Sequence, residues 1–409
     1  MAEFSIDPFV DRYAQRTAGM SESEVRALFA VASRPEVVSL AGGMPYVQAL
    51  SSDEVQRVVR EVLEEHGSEA LQYCGGQGLI GLRRRLAEVM AEEGVRGDPE
   101  DIVVTTGAQQ ALDLVAKIFL DPGDDIVVEA PAYVGALSAF SAYQPNYLQV
   151  DLDEDGMVVD QLETLLVHGA RPKFVYTVPS FHNPAGVTMS GPRRERLVAL
   201  CREAGVPIVE DNPYGMLRFE GDPLPTLRSL DPHNVIYLGT VSKVFAAGVR
   251  IGWVLAESHV AQRFVLAKEA ADLCHSSFTQ LVTEHWLSDH DRWTSSVHTL
   301  VDVYRSRRDT MIAALTEHFP NDATWTRPAG GFYCWVTLPG YFDTQKMLAA
   351  AVERRVAYVP GTGFYPDDRG RQQMRLAFCY PSSEDIVEGV KRLGALLSDE
   401  ENLFRSLQR

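Results

Sequence analysis

The sequence predicts an α/β fold: a large domain built on a mostly parallel central sheet, followed by a smaller α+β domain at the C-terminal end. Three observations predict it. Between Asp101 and Leu255, short apolar runs alternate with stretches of helical periodicity, the pattern of strands and crossover helices around a parallel sheet. Beyond about residue 260 the alternation stops, and a long helical stretch leads to two aromatic-rich strand runs with a helix between them. The composition, 409 residues with 45% hydrophobic and 23% charged side chains, is that of a globular chain that buries its cores without disulfide staples.

Taken in order, the stretch before Ala41 reads as a helix-containing arm and Ser51–Gly67 as an amphipathic helix. Asp101–Thr106 is a buried strand, and GAQQALDLVAKIFL after it a helix with apolar residues at helical spacing. Asp125–Glu129 is a second apolar run and Ala132–Tyr143 a helix. Lys173–Val178 is a strand, and Gly191–Glu203 a helix opened by Pro192. Pro207–Glu210, Val235–Leu238 and Gly252–Leu255 are further short strands, and Val260–Arg307 is largely helical. Gly331–Leu338 and Met374–Tyr380 read as antiparallel-type strands separated by a helix over Lys346–Arg355.

Charge and cysteine usage narrow the function. Lys and Arg number 38 against 56 Asp and Glu, a net charge of −18, which repels phosphate backbones and anionic lipid. No nucleic-acid or membrane partner is expected, although a local basic pocket for a small anion remains compatible with that balance. The five cysteines are scattered with no CxxC or metal-ligand spacing, so no metal is expected, and such a set fits a reducing cytosol. The N-terminal stretch MAEFSIDPFVDRYAQR has no apolar core of a signal peptide, and no apolar run is long enough for a membrane span. A cytoplasmic location is the expectation.

The segment richest in chemistry is Gly239–Gly252, GTVSKVFAAGVRIG, after a predicted strand. Most lysines are solvated surface charges. Lys243, however, follows Thr240 and Ser242 and precedes an apolar stretch that would desolvate it. Desolvation lowers an ammonium pKa and makes the amine a nucleophile able to form a Schiff base. Three other segments could complete a pocket. Asp211 ends the PIVED strand, with Tyr214 three residues on: either an ordinary strand-end turn, or a carboxylate placed to hold a pyridinium N–H with a phenol beside it. PSFHNPAG, Pro179–Gly186, is either a plain turn or a loop that presents the Asn183 amide to a ligand. TTGAQQ, Thr105–Gln110, runs from a strand end into a helix start, whose free N–H groups suit a phosphate.

In this order, TTGAQQ, PSFHNPAG, EDNPY and VSKVFAAGVR resemble the fold-type I pyridoxal-phosphate enzymes, specifically the class I/II aminotransferases. The resemblance covers nearly the whole chain, from LAGGMP at Leu40–Pro45 to MRLAFCY. LAGGMP, LQYCGGQG and TTGAQQALDLV look like the 2-aminoadipate aminotransferase branch. The resemblance implies an arm at 1–50 packing with the small domain, a large cofactor-binding α/β domain at 51–300 and a small α+β domain at 301–409. It implies pyridoxal 5′-phosphate as cofactor and amino-group transfer from an L-amino acid to a 2-oxo acid by a ping-pong cycle. It also implies a homodimer with shared active sites.

Residue by residue, the resemblance makes Lys243 the covalent anchor and general base. Asp211 is the partner of the pyridine nitrogen, and Asn183 and Tyr214 are the partners of the ring's phenolate oxygen. Ala108 and Gln109 would offer amide groups to the phosphate, in a cup completed by Thr240, Ser242 and Arg250. Tyr133 is either the aromatic stacked on the ring or plain core packing. Arg375 would take the substrate α-carboxylate, a task suited to a guanidinium. Gly43 would bring backbone close to the substrate, and Tyr73 would reach a cofactor phosphate across the dimer interface. Arg26 is either a second cation for an acidic side chain or a solvated helix charge.

The chain departs from the usual pattern at Thr240 for serine, Ala247 for proline, Ala185 for threonine and His182 for glutamine. His182 is either a neutral hydrogen-bonding group or a titrating one. Two other functions share these features. The same scaffold supports elimination, decarboxylation or oxidation of an amino acid. Some transcription regulators carry such a domain behind a winged helix, but the stretch before AGGMP is too short for that module.

Overall fold

The computed structural model describes residues 7–20, 34 and 36–407. The large domain is organised by an eight-stranded sheet. Its spatial order is Ile102–Thr106, Ile251–Leu255, Val235–Thr240, Ile208–Asp211, Val175–Thr177, Asp125–Ala130, Asn146–Asp153 and Gly156–Met157. The five strands from Val235–Thr240 to Asn146–Asp153 run parallel. The four from Val235–Thr240 to Asp125–Ala130 read as apolar runs because helices cover both faces. Ile251–Leu255 lies antiparallel to both of its neighbours, and Gly156–Met157 is an antiparallel edge.

This topology positions the site. The strands Ile102–Thr106, Asp125–Ala130, Val175–Thr177, Ile208–Asp211 and Val235–Thr240 all end on one edge of the sheet, and Ile251–Leu255 begins there. The segments TTGAQQ, PSFHNPAG, EDNPY and VSKVFAAGVR each run across or just past one of those ends, and the last also precedes that beginning. In open α/β sheets, ligands sit outside the carboxyl ends of the strands for this reason.

Beyond the sheet come the helices Ser258–Asp272, Ser277–Ser288 and His290–His318. The last crosses position 300 without a break, so the expected 300/301 boundary falls inside one continuous helix. The smaller domain carries an antiparallel sheet in the order Thr324–Trp325, Tyr333–Thr337, Gln373–Ala377, Val359–Pro360, with the helices Thr344–Glu353 and Ser383–Leu407. The segment Val38–Leu40 joins this part. Val38–Ser39 pairs in parallel with Val356–Ala357, and Leu40 is fully buried in the core shared with Ile386 and Val390.

Several elements escaped the sequence reading, among them the helices Ile80–Glu92 and Val159–Val167 and the two that follow. Asn146–Asp153 is an eight-residue strand whose residues are mostly half-exposed, so NYLQVDLD lacks the apolar run that marks its neighbours. Ser383–Leu407 is a helix with its buried residues, Ile386, Val390, Leu393 and Leu397, spaced along one stripe. All five cysteines are free, and among the described residues no helix is long and apolar enough to cross a membrane.

Candidate active site

The anion-binding end of the site is built by register. Gly252 stands opposite Thr105 on one side and Thr240 on the other. A Cβ on Gly252 would lie 2.5 Å from the carbonyl carbon of Gly107 and 2.6 Å from the Ala108 nitrogen, so only glycine lets the helix Gly107–Phe119 start this close to the sheet. That helix is anchored by buried Ala111, Leu112, Leu114 and Val115, and its first N–H groups have no helical acceptor. Thr240 Oγ1 lies 2.8 Å from Ser242 Oγ and 2.9 Å from the Ile251 carbonyl oxygen. Arg250 donates from Nη2 to the Thr106 carbonyl oxygen at 3.3 Å and has a φ of 56°, a left-handed backbone uncommon outside glycine. Ala108, Gln109, Thr240, Ser242 and Arg250 thus surround one end of the cavity. The Gln109 side chain itself turns away and donates to the Gly135 carbonyl oxygen at 2.7 Å.

At the centre, Lys243 Nζ donates to the Gly43 carbonyl oxygen at 3.2 Å and sits 5.5 Å from the Phe332 ring centroid. Burial pushes its pKa below the usual lysine value. Arg375 and Arg250 push the same way, while Cys379 and Asp211 oppose. Asp211 is buried. Its Oδ2 accepts from the Tyr176 hydroxyl at 2.9 Å, and its Oδ1 has no partner. Burial raises its carboxyl pKa to about 6, against the lowering effect of Tyr176 and Lys243. The turn after Asp211 is pinned by Asn212, which donates to both carboxylate oxygens of Glu93 at 3.2 Å and to the Tyr237 hydroxyl at 3.0 Å. Burial raises Glu93 to about 7.

Arg375, on the strand Gln373–Ala377, is buried and donates to Asn183 Oδ1 at 2.9 Å and to the Ala41 carbonyl oxygen at 2.8 Å. Its Nε is unpartnered, and its guanidinium lies 4.2 Å from the Tyr333 ring centroid and 5.1 Å from that of Phe364. Because Asn183 presents its oxygen to Arg375, its amide nitrogen is the group left for a ligand. Tyr214 is buried against Phe332 and Tyr333, and Tyr133 caps the helix Val134–Ser141 with its hydroxyl pKa raised by burial and by Asp211.

His182 has its proton placed by its neighbours. The Ala185 amide donates to Nδ1 at 3.2 Å, so Nε2 carries the hydrogen. Nε2 lies 3.0 Å from Glu129 Oε2, close in distance but off the line a hydrogen bond needs. Glu129 also accepts from Thr177 Oγ1 at 2.6 Å and from the Val178 amide at 2.9 Å. These contacts give His182 a hydrogen-bonding place in the loop.

Lys243, Asp211, Asn183, Tyr214, Tyr133, Arg375 and Gly43 therefore cluster beside the helix start and the Thr240, Ser242 and Arg250 side chains. Tyr73 does not join them within one chain. It is 77% exposed, next to Leu71 at 81%. Arg26 lies outside the described residues. Sequence reasoning missed Tyr176, Glu129, Glu93 and Tyr333. Tyr176, Glu129 and Tyr333 lie on strands and Glu93 ends the helix Ile80–Glu92, and only tertiary packing aims them at the site.

The residues present fit pyridoxal 5′-phosphate: an unpartnered buried carboxylate oxygen for the ring nitrogen, an amine whose pKa burial lowers, and a helix N-terminus with an arginine and two hydroxyls for the phosphate. Comparison with known proteins agrees. A family model described as "Aminotransferase class I and II" matches residues 35–393. The chain is 42% identical to the aromatic-amino-acid aminotransferase 1 of Thermococcus litoralis, over 95% of this chain and 94% of that one. It superposes on the crystal structure of a multiple substrate aminotransferase from Thermococcus profundus with a TM-score of 0.91 at 40% identity, covering 97% of this chain and 100% of that one. It also superposes on the α-aminoadipate aminotransferase of Thermus thermophilus, solved with N-(5′-phosphopyridoxyl)-L-leucine, with a TM-score of 0.90 at 35% identity, covering 96% and 99% of the two chains.

Proposed function

Because this chain belongs to the class I and II aminotransferase family, we propose that its sheet-edge cavity performs the family's reaction with the residues described above, on a broad set of amino donors. The enzyme is a fold-type I, pyridoxal-5′-phosphate-dependent aminotransferase that moves an amino group from an amino acid to a 2-oxo acid. When bound, the cofactor supplies an aldehyde that takes the substrate amine and a protonated ring that accepts the electron pair left at Cα.

The protein's part is to hold groups and move a proton. Asp211 keeps the ring nitrogen protonated through its free Oδ1, while Tyr176 occupies Oδ2. Asn183 and Tyr214 donate to the phenolate oxygen, and Tyr133 covers a ring face. Ala108, Gln109, Thr240, Ser242 and Arg250 receive the phosphate. Arg375 pairs with the α-carboxylate and, with the backbone of Gly43, fixes the donor so that its Cα–H faces Lys243. Lys243, its ammonium disfavoured by burial, takes that proton and returns it to the cofactor side. The observation that carries this reading is the buried Asp211 oxygen without a partner, in the same cavity as a desolvated amine.

The donor range follows from Arg375, which grips the carboxylate common to all amino acids and so does not discriminate. We place aromatic donors and acidic donors such as glutamate or 2-aminoadipate in that range, supported by the activities for which the relatives are named. Arg26 is the proposed partner of an acidic side chain. A panel of aromatic, acidic and aliphatic donors against 2-oxoglutarate and pyruvate tests this. Turnover confined to one donor class would refute the broad range.

The working unit in this reading is a cytoplasmic homodimer. Leu71 and Tyr73 stand out from a loop joined to the exposed Leu273 by the contacts Cys74 Sγ–His275 O at 3.4 Å and Ser277 Oγ–Gln72 O at 2.7 Å. Such an apolar surface favours a second copy, which would bring Tyr73 to the neighbouring phosphate. Mixing an inactive Tyr73 variant with an inactive Lys243 variant should restore part of the activity. A fully active monomer in sedimentation would refute it.

A further inference from the structure

Tyr333 is the buried group that touches the most of this machinery without a role in the scheme above. It lies on the strand Tyr333–Thr337, pairs with Ala377 across the small-domain sheet, and is 3% exposed. Its ring covers one face of the Arg375 guanidinium at 4.2 Å. It meets the Tyr214 ring edge-on at 6.0 Å and 89°, with the two hydroxyls within hydrogen-bonding reach of each other. Its hydroxyl also stands where a side chain on Gly43 would be, 1.8 Å from an ideal Cβ, and Gly43 is the residue whose carbonyl holds Lys243. A phenylalanine would supply the same ring to Arg375, so the hydroxyl answers to Tyr214 and Gly43 alone.

We propose that Tyr333 is a positioning residue whose hydroxyl acts through Tyr214, setting the strength of the hydrogen bond that Tyr214 offers to the cofactor's phenolate oxygen. The inference deepens the cofactor assignment and rests on it. With that oxygen present, Tyr214 turns its single proton toward it. The Tyr333 hydroxyl is then free to donate to the Tyr214 oxygen. A donor into a hydroxyl oxygen polarises its O–H, so a chain of two phenols stabilises the phenolate more than one does. The other groups facing the pair are Arg375, Cys379 and Tyr133. Arg375 adds a positive field, and the Cys379 thiol and the Tyr133 hydroxyl, both with pKa values raised by burial, stay protonated through neutral pH. None of them supplies a donor to Tyr214 in place of Tyr333.

The experiment is a pH titration of the visible absorbance of the bound cofactor in the dimeric holoenzyme, for wild type, Tyr333→Phe and Tyr214→Phe. Less stabilisation of the phenolate favours the protonated form of the chromophore, so the midpoint should rise. We expect a rise of roughly half a unit for Tyr333→Phe, smaller than that for Tyr214→Phe, and no further rise when the two are combined. KM for donors should change little in Tyr333→Phe, because the ring over Arg375 is kept. It should rise in Tyr333→Leu, where the ring is lost. A Tyr333→Phe midpoint equal to wild type, with Tyr214→Phe shifted, would overturn the inference and leave the cofactor assignment standing. Two silent variants would overturn the Tyr214 assignment and the inference with it.

Discussion

Replacing Asp211 with asparagine should make the cofactor-free protein more stable while it disables the enzyme. The carboxylate is buried, one of its oxygens has no partner, and its pKa rises from 3.8 to about 6. A raised acid pKa means that folding favours the protonated form. The penalty for charge is therefore absent below the unfolded pKa, grows as pH rises, and is complete above the folded value. The shift corresponds to about 3 kcal/mol at neutral pH and above, falling to about 1.5 kcal/mol at pH 5. Asparagine keeps the shape and can accept from Tyr176, but it carries no charge. Urea unfolding of the two cofactor-free proteins should therefore show the variant ahead, by a margin that widens between pH 5 and pH 8 toward a limit of about 3 kcal/mol. Activity should move oppositely, because the protonated ring loses its counter-charge, with a fall of several orders of magnitude in kcat. Equal stabilities across this pH range would show that the carboxylate is solvated or otherwise partnered. The link between Asp211 and the ring nitrogen would then lose its physical basis.

Three further outcomes follow from the same geometry. Borohydride reduction of the holoenzyme and peptide mapping should place the pyridoxyl adduct on Lys243, and Lys243→Ala should bind cofactor through the phosphate cup yet show no turnover; an adduct on another lysine would refute the assignment. Arg375→Lys removes the fork that reaches both Asn183 and the Ala41 carbonyl, and should lower kcat/KM for every donor by about 2–5 kcal/mol, which a donor panel would detect as a uniform loss. Gly252→Ala forces a Cβ to within 2.5 Å of the Gly107 carbonyl carbon, so the helix start must shift and cofactor affinity in equilibrium dialysis should fall at least about tenfold, roughly 1.4 kcal/mol, with near-normal affinity as the refuting result.

The cofactor-side residues of the large domain were legible in the sequence because they sit at or just past strand ends, and strand ends are marked by a change of texture. Asp211 closes an apolar run, Thr240 and Ser242 follow another, and Gly107 opens a helix after a third. Apolar periodicity alone orders these along the chain, and a parallel sheet brings all of them to one edge. The orientation of Ile251–Leu255 was not legible, since a buried strand reads the same in either direction. Its antiparallel pairing puts Arg250 beside Thr106.

What the sequence determined by itself was thus local: where strands and helices lie, which lysine is desolvated by its neighbours, and which residues stand at the sheet edge. Only the tertiary structure decided the partners of those residues. Tyr176 meets Asp211 because adjacent strands pair in one register, Glu129 meets His182 because a third strand does, and Tyr333 meets Tyr214 and Arg375 because the small domain packs onto that edge. Those contacts join residues far apart in the chain. Hydrophobic patterning reports whether a side chain is buried but carries no information on what it is buried against, and for a buried tyrosine or carboxylate the neighbour sets the protonation and therefore the chemistry.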